Sequence, residues 1–106
     1  MAGMSPDIFD AVANPIRREL LSQLREGPKP VKALAAGFDR GRPTISEHLR
    51  LLREVGLVRE EPKGRERIYH LVPEPLHQIE EWLADYREFW RTRLDNLQTL
   101  MDRESP

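Results

Sequence analysis

The sequence predicts a mainly α chain with one small β-hairpin, and three observations support this. Apolar residues recur at spacings of three, four and seven along most of the 106 residues, the mark of helices with one buried face. Only residues 57–72 hold two short strand-like runs around a tight glycine loop. Residues 42–57, RPTISEHLRLLREVGL, read as a helix whose opening turn carries Thr44, Ser46, Glu47 and His48 in place of apolar side chains.

Ser5-Pro6 is a capping residue followed by a proline suited to a first helical position, with Ile8, Phe9 and Val12 at helical spacing behind it. Asn14-Pro15 repeats the start signal. Ile16, Leu20, Leu21 and Leu24 then line one face, and Gly27 ends the helix. PKP at 28–30 reads as a stiff connector. VKALAAGF is a short helix with Val31, Leu34 and Ala35 inward, and DRGR at 39–42 is a turn. Pro43 pre-sets the next helix, which buries Ile45, Leu49 and Leu52 and stops at Gly56. LVREE and ERIYHLV flank the PKGR loop as two strands. The second has apolar residues in both phases, so the pattern leaves its buried face open. Pro73 and Pro75 frame the last start signal, and Ile79, Leu83, Tyr86, Trp90, Leu97 and Leu100 imply one helix of nearly thirty residues. A short helix, a tight turn, a polar-fronted helix and a hairpin behind it make a winged helix-turn-helix. The chain reads as one such domain over 1–106. The helix-turn-helix lies at about 31–55, the wing at about 57–72 and a C-terminal dimerisation helix at about 74–103.

Composition narrows the classes. Apolar content of 39% with 33% charged residues suits a small helical chain that completes its core with a second copy. The net charge of −1 gives no global basic field, but its distribution is uneven: +1 over 1–41, +2 over 42–71 and −4 over 72–106. There are no cysteines, which excludes disulfides, thiolate metal sites and cysteine nucleophiles. MAGMSPDIFDAVANP lacks the basic and apolar regions of a secretory signal, and no apolar run is long enough to span a bilayer. A cytoplasmic protein is the default expectation. No cofactor is called for.

The polar opening turn is what base reading needs. With Ile45, Leu49 and Leu52 inward, Thr44, Ser46, Glu47 and Arg50 point outward, and Arg42 sits just ahead. Short donors and acceptors let a helix sink into a major groove, and its positive N-terminal end favours approach to phosphates. Lys63, Arg65 and Arg67 around Gly64 suit a wing tip that clamps the phosphate backbone. Arg17 and Arg18 are further phosphate candidates. His48 is expected to hydrogen-bond within the domain or to contact a phosphate.

FDAVANPIRRELLSQL, RPTISEHLRLLREVGLV and GRERIYHLVPEPL, in that order, resemble the ArsR-type winged-helix transcriptional regulators. The resemblance covers nearly the whole chain. It implies a homodimeric repressor on a palindromic double-stranded operator, released by an inducer. Many members sense metals through cysteines on the third helix or Asp, His and Glu on the last. Here the third helix reads ALAAGFD, and the last offers His77, Glu80, Glu81 and Asp85 without the family's paired histidines. No metal site is therefore assigned, and the signal is expected to be something other than a metal. The ending EPLHQIEEWLADYREFWRTRLDNLQTL is similar to a subgroup without metal ligands, whose last helix is rich in aromatic residues.

Four of the seven aromatic residues (Trp82, Tyr86, Phe89 and Trp90) fall within nine positions. Their stripe is broad enough to meet a second chain, so Leu83, Tyr86, Phe89, Trp90, Leu94 and Leu97 are assigned to a dimer interface, together with the first helix. A small-molecule inducer among the aromatics is a further expectation, its identity unknown. The alternatives are a winged-helix protein–protein module and a metal-responsive repressor with an atypical site. An enzyme is not expected: His48, His70 and His77 sit on three different elements, and no phosphate-binding glycine loop is present.

Overall fold

The computed structural model describes residues 5–38 and 41–104, without the side chains of 42, 103 and 104. In order, the elements are α1 (Ile8–Val12), α2 (Pro15–Arg25), β1 (Lys29–Pro30), α3 (Val31–Ala35), α4 (Arg42–Glu54), β2 (Val58–Lys63), β3 (Glu66–Leu71), a 3-10 turn (Glu74–Leu76) and α5 (His77–Glu104). The contacts divide the chain into two units, the residues up to Leu76 and those from His77 onward. The expected 39–42 turn falls partly on residues 39 and 40, outside the described residues.

The start of α1 differs from expectation. Asp7, not Ser5, is the N-cap. The Asp10 amide donates to the Asp7 carboxylate and the Asp7 amide to the Asp10 carboxylate, both at 2.9 Å. This reciprocal box satisfies two orphan amides at once, which Ser5 cannot do because Ile8, three residues on, has no acceptor side chain. At α2 the expectation holds: Asn14 Oδ1 accepts from the amides of Ile16 and Arg17 at 2.8 and 3.2 Å, with Pro15 opening the helix.

The core of the first unit is built from leucines and one isoleucine on three helices and the bend that follows α4. Leu20, Leu34, Ile45, Leu49, Leu52 and Leu57 are fully buried. The i, i+4, i+7 set on α4 therefore faces inward as read, while Ile16, Val31 and Ala35 are only half-buried. The end of α4 is a complete Schellman motif: the Gly56 amide donates to the Arg53 carbonyl at 3.0 Å and the Leu57 amide to the Leu52 carbonyl at 2.9 Å. Gly56 has φ +81°, a conformation that side-chain-bearing residues rarely adopt. The stop turns Leu57 back onto Leu52, so it both ends α4 and aims the wing.

The wing has one strand more than the sequence suggests. The sheet order is β1-β3-β2, antiparallel throughout, with Lys29 opposite Tyr69 and Val58 opposite Leu71. The PKP stretch is thus a two-residue edge strand rather than a plain connector. Its proline neighbours hid it, because proline lacks the amide a ladder uses. Pro62 is tolerated because β2 is the other edge. The open question of β3 is settled by Tyr69, which is buried.

The second unit is α5, 28 residues long, about 42 Å at helical rise. Tyr86, Trp90, Leu94 and Leu97 form an exposed row along it. Trp82 and Phe89 flank that row, also exposed. Trp82 meets Tyr86 edge-to-face with centroids 5.4 Å apart, and the Arg93 guanidinium lies 4.3 Å over the Phe89 ring. Among the described residues no helix is long and apolar enough to cross a membrane.

Candidate nucleic-acid interface

With Ile45, Leu49 and Leu52 locked into the core, helical geometry turns Thr44, Ser46, Glu47 and Arg50 outward, and all four are exposed. The side chain of Arg42, also expected here, lies outside the described residues. Arg50 is not a lone cation. Its Nη2 donates to Glu47 at 3.0 Å and its Nη1 to Glu54 at 3.3 Å. The hydrogen bond and charge of Glu47, with the charge of Glu54, raise the Arg50 pKa further, so it stays protonated. Arg53, one turn on, pairs with Glu60 at 2.9 Å.

His48 is half-buried, and its Nδ1 lies 3.1 Å from Nη1 of Arg17. A guanidinium only donates, so Nδ1 is the acceptor. The rest of the Arg17 head donates to the carbonyls of Ala11 at 3.0 Å and Asp10 at 2.8 Å. Arg17 therefore ties the end of α1 to α4. Arg18 donates to the Val12 carbonyl at 2.7 Å from a more exposed position. Arg17→Ala leaves two carbonyls and a ring nitrogen without this donor. It is expected to lower unfolding free energy by about 1–3 kcal/mol, checked by urea denaturation.

At the wing, Lys63 pairs across to Glu66 in the ladder and Gly64-Arg65 makes the turn. Neither Lys63 nor Arg65 has an ion-pair partner among the described residues, whereas Arg67 is bonded to Glu60. A cleft of about 300 Å³ separates the start of α3 from the wing tip, lined in part by Lys32, Arg65 and Arg67. No sequence pattern marks Lys32, since only the fold sets the first turn of α3 beside the hairpin.

Glu60 is the electrostatic hub behind this surface. It faces Tyr69 across the ladder, accepts from the Tyr69 hydroxyl at 2.8 Å, and holds Arg67 and Arg53. The Tyr69 hydrogen bond, with Arg67 and Arg53 adding to it, holds its carboxyl below the usual 4.5. Burial, then the Glu60 contact, push the Tyr69 phenol up. A depressed carboxylate contributes stability above its unfolded pKa and loses it as pH falls through the folded value. Unfolding free energy is thus expected to be flat with respect to Glu60 well above the ordinary carboxylate value of 4.5 and to fall as pH drops through and below it. Glu60→Gln should flatten that acid limb, read by urea denaturation across pH 3–6.

On α5, His77 Nδ1 lies 2.9 Å from Glu81, and Glu80 accepts from Arg87 at 3.1 Å. Among the described residues no three His, Cys, Asp or Glu side chains gather as a metal site would require.

A buried-backed polar helix face, a preceding short helix and a three-stranded wing with a basic tip define a winged helix-turn-helix DNA-binding regulator. A family model described as a helix-turn-helix domain matches residues 12–61. The HTH-type transcriptional regulator Rv2034 of Mycobacterium tuberculosis is 35% identical over 101 residues, covering 94% of this chain and 92% of its own. The transcriptional repressor SdpR of Bacillus subtilis is 28% identical over 80 residues, covering 76% of this chain and 89% of its own. Among solved structures, the ArsR family transcriptional regulator RHA00566 superposes with a TM-score of 0.72 at 38% identity, covering 79% of this chain and 92% of that one. The chain belongs to the ArsR family of transcriptional regulators.

Proposed function

We propose that the protein is a dimeric repressor that inserts α4 into the major grooves of a palindromic operator and leaves it in response to a signal other than a metal. The observation that carries this reading is the division of α4. Ile45, Leu49 and Leu52 are fully buried, while Thr44, Ser46, Glu47 and Arg50 face solvent with only short or hydrogen-bonding groups. A protein-binding helix would expose aromatic or aliphatic anchors there instead.

Affinity and sequence reading come from different places on this surface. The described charges on the outer face of α4 are paired with one another or with Glu60, so they attract phosphates weakly. Lys63, Arg65 and Lys32, at the wing and its cleft, supply that attraction. Thr44, Ser46, Glu47 and Arg50 supply base contacts. Dimerisation is supported by the exposed row on α5 and by Phe9, exposed on α1. These side chains are already about half covered, so burying the remainder of each against a second copy would contribute roughly half of the 1.5–3 kcal/mol of a fully exposed one. A non-metal signal is supported by the absence of cysteine and by the existing partners of His77 and Glu80.

A mobility-shift titration on DNA from upstream of the protein's own gene, at two salt concentrations, tests the reading. Specific binding that weakens with salt is expected. Arg65→Ala should reduce the salt slope by about one and weaken all sequences alike. Binding insensitive to both salt and sequence would refute the assignment.

A further inference from the structure

Resting on the DNA-binding reading above, we infer that Glu47 is the specificity-determining residue of the interface: it holds Arg50 off the phosphates and releases it only where a cytosine amino group takes the guanidinium's place. The geometry supplies both halves of the exchange. Glu47 and Arg50 sit three residues apart on the exposed face of α4, bonded at 3.0 Å, with side chains 69% and 58% exposed. Glu54 adds a second carboxylate at 3.3 Å, so the trio carries a net charge of −1 on the surface turned toward DNA. Such a surface is repelled by an arbitrary stretch of phosphates.

The carboxylate also filters the bases. An ionised glutamate only accepts hydrogen bonds, and of the two major-groove donors, cytosine N4 and adenine N6, it favours N4 because the adenine N7 acceptor beside N6 repels it. Guanine O6 and N7 and thymine O4 are acceptors and repel it. Arginine has the opposite preference and grips guanine O6 and N7 bidentately. The three-residue spacing gives about 4.5 Å along the helix axis, close to one base-pair step of about 3.4 Å. Neighbouring pairs presenting a cytosine and a guanine thus satisfy both side chains at once. An exposed ion pair one turn apart on a helix is weak beside a bidentate base contact, so the exchange runs toward DNA at the matching site and stays closed elsewhere.

The test is selection from a random-sequence duplex library with the full chain and with Glu47→Gln, Arg50→Ala and Glu54→Gln, each checked for unchanged helicity. The unaltered chain should enrich half-sites with cytosine and guanine on neighbouring pairs. Glu47→Gln should keep the guanine, lose the cytosine and bind random duplex about tenfold more tightly. Arg50→Ala should lose the guanine, and Glu54→Gln should select the same half-site as the unaltered chain. The inference is overturned if Glu47→Gln enriches the same half-site with the same ratio of specific to random affinity. If the unaltered chain enriches no sequence at all, the DNA-binding reading falls with it.

Discussion

Leu94→Glu and Leu94→Lys in α5 are each expected to convert the protein to a monomer and to lower specific operator affinity by on the order of 10²–10⁴. Leu94 is 64% exposed in a row with Tyr86, Trp90 and Leu97, so neither charge disturbs the core around α4. Buried against a second copy, however, an unpaired charge there is strongly unfavourable. The affinity loss follows because two half-sites held by one dimer bind far more tightly than one alone. Using both signs separates the effect from simple charge repulsion by DNA: a glutamate would weaken binding that way and a lysine would not. Sedimentation equilibrium and operator titration on each variant check the outcome. A Leu94→Lys protein that remains dimeric would show that the α5 row is not the pairing surface.

Leu49→Ala is expected to destabilise the fold by about 2–5 kcal/mol, because a fully buried leucine in a close-packed core leaves a cavity that neighbours fill only in part. In a small domain whose total stability is about 5–15 kcal/mol, that is a large share. Ser46→Ala, three residues earlier on the exposed side, should change unfolding free energy by less than about 0.5 kcal/mol and act on base preference instead. Urea denaturation separates the two. Equal losses for both would mean that α4 does not divide into a core face and a reading face.

The sequence made α4 legible because three periodic apolar residues and a terminal glycine leave few ways to orient a helix. Burial of Ile45, Leu49 and Leu52, and the turn at Gly56, follow that pattern residue by residue. Short-range competition misled the reading at α1, where Asp7 and Asp10 cap each other and displace Ser5. Strand β1 was hidden because its ladder depends on residues forty positions away. The chemistry behind the surface was the least legible part. In the linear pattern Arg17 is a phosphate candidate, while the contacts of its head with Asp10, Ala11 and His48 are created only by the tertiary fold. Tyr69 and Arg67 reach Glu60 through cross-strand register, and Arg53 reaches it from α4, in the same way. Nothing in the linear pattern singles out Lys32, which gains its meaning from Arg65, thirty-three residues on, across the cleft.

Hydroxyl-radical footprinting of the bound operator tests the central claim most directly. Two protected patches on one side of the duplex, centred about 10–10.5 base pairs apart and both lost on Leu94→Lys, are expected. One patch alone, or protection unrelated to sequence, would contradict it.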